Sequence, residues 1–99
     1  LLERKRMMLA FESLACCEKV YPSNANFFLA KMKDAQSVYN YLCQKGIKVR
    51  NCSNLSLCNN CLRITIGAKA ENAEILAYLD IINQQNSFID SLSNFLFTV

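Results

Sequence analysis

Two arginines are the residues of this chain whose type and position could do chemistry. Arg50 ends the segment Ile47-Lys48-Val49-Arg50, and Arg63 lies within Cys61-Leu62-Arg63-Ile64-Thr65-Ile66. Both segments alternate with a period of two, so each guanidinium is predicted to project from the wet face of a strand. A guanidinium held on a strand is a rigid fork for a carboxylate or phosphate, with on the order of 1.5 to 3 kcal/mol per charge-assisted bond. The alternation alone favours ordinary solvated arginines, and spacing does not decide between the two interpretations.

The cysteines could form a metal site or a redox pair, or remain ordinary thiols. Cys58-Asn59-Asn60-Cys61, preceded by Cys52, has the C-x-x-C spacing of zinc sites and redox motifs. A structural zinc needs four ligands, and the fourth would be a helix cysteine such as Cys43. Cys16 and Cys17 are adjacent in a predicted helix, which argues against a disulfide framework. We therefore interpret the cysteines as reduced and expect no metal. A small metal-binding domain using Cys52, Cys58 and Cys61 stays an alternative.

The chain contains no histidine and only 2 glycines. The absence of histidine removes the commonest general base, the Ser-His and Cys-His nucleophile pairs and every metal site that needs an imidazole. Two isolated glycines cannot form a glycine-rich phosphate loop or a dinucleotide fingerprint. We therefore expect no catalytic and no cofactor-binding residue in the chain itself.

Length and composition predict one globular domain. The 99 residues are 53% hydrophobic and 19% charged, which is unlike a disordered tail and sufficient for one modest core. The net charge of +3 is spread along the chain, so nucleic acid is not expected as a partner. The apolar stretches are too short to span a membrane, and the first residues resemble neither a signal peptide nor a natural start. A reduced, cytoplasmic fragment is the expectation.

The first half of the chain predicts a helix, a strand and a second helix. The first helix should run from Leu1 to about Glu18, with Met7, Phe11 and other apolar residues on one side. After a turn at 21–24, the aromatic-rich run 25–30 is predicted to be a largely buried strand. Asp34 should cap the next helix, and Gly46 should supply its left-handed stop.

The second half predicts two strands and a helix. The strands are those of Arg50 and Arg63, and the helix spans Glu71–Ile82. The element order predicts an α+β fold in which a small sheet is covered on one side by helices. A domain is thus expected over 1–83, followed by an extension over 84–99. Phe88, Leu92, Phe95 and Val99 recur in that extension at helical spacing, which indicates a final amphipathic helix.

Three separated motifs resemble one enzyme family. They are Tyr21-Pro22-Ser23-Asn24-Ala25-Asn26-Phe27-Phe28-Leu29, Gly46-Ile47-Lys48-Val49-Arg50, and Cys61-Leu62-Arg63-Ile64-Thr65-Ile66-Gly67 with Glu71-Asn72 behind it. In this order, over about residues 1–82, they resemble the end of histidinol-phosphate aminotransferases. Threonine-phosphate decarboxylases and aromatic aminotransferases share a weaker version of the pattern.

The resemblance implies a fold and roles for the two arginines. The fold would be the two-layer C-terminal small domain of a fold-type-I aminotransferase, with a short, mostly antiparallel sheet. Arg63 matches the arginine that binds the substrate carboxylate, and the phosphate of the alternative substrate. Arg50 matches a second arginine near the same anion, and Asn26 is interpreted as structural.

The resemblance also implies a reaction that this chain cannot complete. The parent enzyme would use pyridoxal phosphate to move an amino group between glutamate and histidinol phosphate or its keto partner, in histidine biosynthesis. Its large domain would supply the cofactor lysine, so this chain alone should bind no cofactor and be inactive. The expected partners are that large domain, a small amino-acid or phosphate-ester substrate and a second subunit in a homodimer. A non-catalytic binding or dimerisation module that reuses the fold is the alternative.

Overall fold

The sheet has four antiparallel strands in the order β1-β2-β4-β3. The computed structural model describes residues 2–23, 25–53 and 58–98, with side chains as far as residue 85. The elements are α1 (Leu2–Glu12), β1 (Cys17–Tyr21), β2 (Phe27–Met32), α2 (Ala35–Gln44), β3 (Arg50–Asn51), β4 (Cys61–Thr65) and α3 (Lys69–Thr98). The expected α+β class is confirmed. None of the helices, over the described residues, is long and apolar enough to cross a membrane.

The core lies between one face of the sheet and the helices. Strand residues alternate, so that Phe28, Ala30, Leu62 and Ile64 are fully buried while their strand neighbours are not, apart from Cys61. Phe11 of α1 meets the Phe28 ring edge to face, with centroids 5.2 Å apart. The remaining core side chains of the helices include Met7, Val38, Leu42, Ile75 and Leu79. In the part of the chain that the structure describes, the helices do not pack against the opposite face of the sheet.

The first helix is shorter than predicted, and a strand follows it. α1 ends at Glu12, so Cys16 and Cys17 do not lie in a helix. The backbone turns where the Ser13 and Leu14 N–H groups donate to Ala10 and Phe11 carbonyls, and β1 then pairs with β2. The prediction from helical periodicity was wrong because strand pairing outweighs a weak helical pattern. β2 is also shifted toward Met32, and it is largely buried as predicted, with buried residues alternating with half-buried ones.

Both predicted ends of α2 are confirmed. The Asp34 carboxylate accepts a hydrogen bond from Ser37 N–H at 3.2 Å, and Gly46 has a φ of 79°. Ile47 N–H donates to Leu42 C=O at 2.9 Å as part of this helix end. That donor is therefore not available for strand pairing, and the strand predicted from Ile47 is reduced to Arg50–Asn51.

The last helix is longer than predicted. α3 is continuous from Lys69 to Thr98, so the run after Asn83 does not separate two helices. Asn83 lies inside it, and its Oδ1 accepts a hydrogen bond from Ala15 N–H at 2.6 Å. The predicted apolar face of Phe88, Leu92, Phe95 and Val99 lies outside the residues whose side chains are described.

Candidate functional site

Arg50 and Arg63 are brought together by strand pairing. Arg63 lies opposite Leu29 of β2 on one side and opposite Arg50 of β3 on the other. Directly opposed residues of an antiparallel pair project from the same face, with Cβ atoms roughly 4.5 to 5.5 Å apart. The two guanidinium groups therefore start from neighbouring points on one face of the sheet.

That face is the one turned away from the helices. Leu62 and Ile64, on either side of Arg63, are both 0% exposed, whereas Arg63 is half-exposed and Arg50 is exposed. The prediction that strand alternation directs Arg63 away from the core is confirmed. We call this surface the outer face, formed by the paired residues Lys19, Tyr21, Phe27, Leu29, Lys31, Arg50, Cys61, Arg63 and Thr65.

Phe27 orients the Arg63 side chain. The guanidinium carbon lies 3.9 Å from the centroid of the Phe27 ring, within the range of a cation–π contact. Phe27 pairs with Thr65, so it is the diagonal neighbour of Arg63 across β2 and β4. A guanidinium that stacks on a ring keeps its N–H edge free for a planar anion.

The outer face carries uncompensated positive charge. None of its paired residues is acidic, and Lys19 and Lys31 add to the two arginines. Among the described residues neither Arg50 nor Arg63 forms an ion pair, since the salt bridge found joins Arg6 and Glu3. Like charges directly opposite each other on a sheet are destabilising. A bound anion would relieve that repulsion.

A buried asparagine fixes the end of β4. Asn72, the first inward residue of α3, is 0% exposed. Its Oδ1 accepts from Gly67 N–H at 2.9 Å, and its Nδ2 donates to Gly67 C=O at 3.1 Å and to Glu3 Oε2 at 2.7 Å. These bonds tie the turn after β4 to the first turns of α3 and α1.

Glu3 is the charged member of this network. Arg6 donates from Nε and Nη2 to the two Glu3 carboxylate oxygens at 2.7 and 2.9 Å. The hydrogen bonds from Arg6 and then Asn72 lower the pKa of Glu3 to about 2. The carboxylate is therefore ionised through the physiological range and holds the starts of α1 and α3 together.

Sequence reasoning missed Asn72, Glu3 and Phe27 as positioning residues. Asn72 had a detectable signal, because it stands at helical spacing from the buried Ile75 and Leu79 and so falls on the core stripe of α3. The contact of Glu3 with Asn72 depends on how α1 and α3 pack, and the contact of Phe27 with Arg63 depends on strand register. Neither is visible in local spacing.

A hollow of about 420 Å³ lies beyond Thr65, at the end of the outer face. Its lining includes Lys48, Thr65, Gly67, Glu71 and Asn72. Neither Arg50 nor Arg63 is among the residues that line this hollow.

The remaining candidate residues have structural surroundings. Asn26 accepts a hydrogen bond from Ile66 N–H at 2.7 Å through its backbone carbonyl. Cys52 and Cys61 are buried, Cys58 is half-buried, and all six cysteines are free thiols. Over the described part of the chain, no three Cys, Asp or Glu side chains are grouped as a metal site.

Solved structures with the same arrangement define the class of the fold. Histidinol-phosphate aminotransferase from Clostridium acetobutylicum superposes with a TM-score of 0.78 at 24% identity, over 85% of this chain and 26% of that one. L-threonine-O-3-phosphate decarboxylase from Porphyromonas gingivalis superposes with a TM-score of 0.72 at 26% identity, over 82% of this chain and 26% of that one. The fold is that of an α+β small domain of fold-type-I aminotransferases.

Sequence relatives narrow the class further. Histidinol-phosphate aminotransferases from Flavobacterium psychrophilum and Bacteroides fragilis are 53% and 52% identical over 77 residues, which is 78% of this chain. The chain is thus homologous to a segment of histidinol-phosphate aminotransferases, and it spans about 22% of the length of these relatives. No protein-family model matches the chain.

Proposed function

We propose that this chain is the substrate-binding small domain of a pyridoxal-phosphate-dependent aminotransferase. Its task is to hold the anionic group of a small substrate between Arg50 and Arg63. The observation that carries the proposal is the direct cross-strand pairing of these two arginines on a face without paired acidic residues. Similarity to histidinol-phosphate aminotransferases over 78% of the chain supports the same assignment.

The geometry suits a carboxylate or a phosphate. Each guanidinium can donate two parallel N–H bonds to such an anion, and Phe27 holds the plane of Arg63. The proposed anions are the carboxylate of glutamate or 2-oxoglutarate and the phosphate of histidinol phosphate. The phosphate would occupy the same place as the carboxylate. The proposed reaction is amino transfer between these substrates in histidine biosynthesis. The relatives' name supports the part of it that concerns amino transfer and histidinol phosphate.

The cofactor is assigned to the rest of the enzyme. A pyridine nitrogen that must stay protonated needs a carboxylate partner, and the paired residues of the outer face include none. The residues of the outer face therefore do not fit pyridoxal phosphate, and the proposal assigns the cofactor to the large domain. Its contribution is to bind and orient substrate, and to exclude water when a second wall closes over the arginines.

The partners follow from the same proposal. Residues 1–83 form the small domain and 84–99 an extension, while a large cofactor-binding domain supplies the second wall of the site. The complete enzyme is a cytoplasmic homodimer. The relatives are roughly three and a half times as long as this chain, because the 77 matched residues are 22% of their length, and this supports a further domain.

Kinetics of the complete enzyme test the proposal. We expect Arg63→Gln to lower kcat/KM for amino transfer about 10- to 100-fold, since one charge-assisted contact contributes roughly 1.5 to 3 kcal/mol. The loss should appear mainly in KM if the arginine binds ground state and transition state alike. Lys5→Gln, which removes an exposed charge from α1, is the matched control. Unchanged kinetics for Arg63→Gln, or a purified enzyme without pyridoxal-phosphate absorbance, would refute the assignment.

One observation favours a non-catalytic interaction module as the second candidate. Leu2 and Leu9 of α1 are 86% and 57% exposed, and with Met8 they line a shallow apolar hollow. A face of this kind suits a second copy of the chain or another protein. Sedimentation of the chain should then show a dimer that Leu9→Glu dissociates and that Lys33→Glu, at an exposed residue outside this hollow, does not. A monomer at high concentration would remove this candidate.

A further inference from the structure

Cys61 stands next to two other thiols at the start of β4. The register that pairs Arg50 with Arg63 and Asn51 with Leu62 continues by one residue, because Cys52 N–H donates to Cys61 C=O at 2.9 Å. Cys58 is joined to Cys61 by a turn, in which Cys61 N–H donates to Cys58 C=O at 3.0 Å. Cys52 and Cys58 are thus each adjacent to Cys61, which lies two residues before Arg63.

The turn between Cys58 and Cys61 holds its two ends close. A hydrogen bond from the fourth residue to the first defines a β-turn, whose end Cα atoms are less than about 7 Å apart. Disulfides join Cα atoms roughly 4.4 to 6.8 Å apart, so the turn falls in the range that a disulfide requires.

Asn60 makes this turn rigid. Its φ of 60° lies in the left-handed region, which asparagine tolerates better than most residues. Its backbone carbonyl accepts from Met32 N–H at 2.8 Å, and its Oδ1 accepts from Ala35 N–H at 3.3 Å. The turn is therefore fixed to the end of β2 and to the start of α2. A preformed geometry lowers the entropic cost of closing the ring.

We infer that Cys58 and Cys61 form a reversible thiol–disulfide exchange site. Its partner is a low-molecular-weight disulfide. The Cys58 thiolate attacks one sulfur of that disulfide, forms a mixed disulfide and releases the first small thiol. Cys61 then gives up its proton and attacks the Cys58 sulfur, which releases the second small thiol. Two protein thiols are oxidised and one external disulfide is reduced, so atoms and electrons balance.

Exposure decides the order of these two steps. Cys58 is half-buried, whereas Cys61 and Cys52 are only 1% and 5% exposed, so an external disulfide reaches Cys58 first. The second step is internal and needs no access from solvent. Burial raises the pKa of the Cys61 thiol, and the neighbouring Cys58 raises it further, so this step should accelerate as the pH rises.

Cys61 is the thiol that attacks the mixed disulfide at Cys58, because its sulfur lies inside the Cys58–Cys61 turn. Its Sγ is 3.8 Å from the carbonyl oxygen of Asn59, inside the Cys58–Cys61 turn. Cys52 reaches the same region only across the strand ladder, and it is itself buried. We therefore expect the bond to close within the turn, with Cys52 left as a thiol.

Peptide mapping of the oxidised chain tests the inference without any enzyme assay. The folded chain is treated with excess oxidised glutathione, quenched in acid, unfolded in urea and alkylated with N-ethylmaleimide. Trypsin then releases residues 51–63, a single peptide that holds Cys52, Cys58 and Cys61. The expected peptide carries one alkyl group, on Cys52, and lacks two hydrogens from Cys58 and Cys61. Dithiothreitol before alkylation should restore three alkylated cysteines.

Variants separate the two steps. Cys61→Ala should stop the reaction at a stable glutathione adduct on Cys58, and Cys58→Ser should leave Cys61 unmodified. Cys52→Ala and Cys43→Ser should form the disulfide as the wild type does. A persistent glutathione adduct on wild-type Cys58, a bond that includes Cys52, or three alkylated thiols after oxidation would each overturn the inference. The wild-type map decides the matter even if Cys61→Ala fails to fold. Because it involves no substrate, its outcome is independent of the proposed aminotransferase role.

Discussion

Arg50 and Arg63 are direct cross-strand partners, so two positive charges oppose each other at the β3–β4 edge of the sheet. The fold alone gains nothing from this arrangement, because like charges in this position repel. Leu62 and Ile64 point into the core, whereas both arginines and the Phe27 ring lie on the outer face. Under the proposed function, the pair binds an anion, which would offset this repulsion.

Removing one charge of the pair should therefore stabilise the isolated chain. We expect Arg50→Thr to raise the free energy of unfolding by roughly 0.2 to 1 kcal/mol at low salt, and the gain to shrink in high salt as charges are screened. Urea unfolding at two salt concentrations measures both effects. Lys48→Thr, which removes an exposed charge from the segment before β3, should show no such gain. A destabilised Arg50→Thr chain would mean that the two arginines do not repel.

The ring of Phe27 should affect anion binding through Arg63. Phe27→Leu removes a cation–π contact of about 0.5 to 1 kcal/mol, so we expect the affinity for substrate to fall about 2- to 5-fold. KM of the complete enzyme is the measurement. Tyr21→Leu is the matched control, because it removes the same kind of contact to Lys19, 4.9 Å away, at the opposite edge of the outer face. An equal effect of both substitutions would point to general loss of packing.

The elements with strong local signals were predictable from sequence. Asp34 caps the start of α2 with its side chain, and Gly46 follows its end with a left-handed backbone. The alternation around Arg63 directs the Arg63 side chain outward as predicted. These features depend on residues within a few positions of one another. Local rules therefore suffice for them.

The elements that depend on distant partners were not predictable in detail. β1 exists because β2 is available to pair with it, and Ile47 does not join β3 because its N–H is used at the end of α2. The pairing of Arg50 with Arg63 likewise needs the register of two strands separated by a loop. Local sequence alternation predicts on which face of the sheet each arginine lies, but it does not predict that the two arginines are neighbours.

Loss of the Asn72 side chain should destabilise the fold at the end of β4. Asn72→Ala leaves the Gly67 backbone groups and Glu3 without this partner, and we expect it to lower the free energy of unfolding by roughly 1 to 3 kcal/mol. Denaturant titration measures the change. Asn83→Ala removes the single side-chain bond to Ala15 and should cost less. Equal costs for the two substitutions would show that the network contributes no more than one bond.

The charge on Glu3 should make stability depend on pH in the acid range. The pKa of this carboxyl is lowered from 4.5 to about 2 in the folded chain, first by the Arg6 hydrogen bonds and then by the Asn72 bond. A lowered folded pKa means that the unfolded chain takes up the proton more readily. The stabilising contribution is therefore complete above the unfolded pKa of 4.5 and is lost as the pH falls from there toward about 2.

Glu3→Gln should remove this dependence, because an amide has no proton to gain in that range. Urea unfolding between pH 6 and pH 2, the window set by the Glu3 pKa values of 4.5 and about 2, should give a steeper acid loss for the wild type than for Glu3→Gln. Glu12→Gln, at the exposed end of α1, provides the control for loss of one carboxylate. If wild type and Glu3→Gln lose stability in parallel, the carboxylate does not join α1 to α3 in solution.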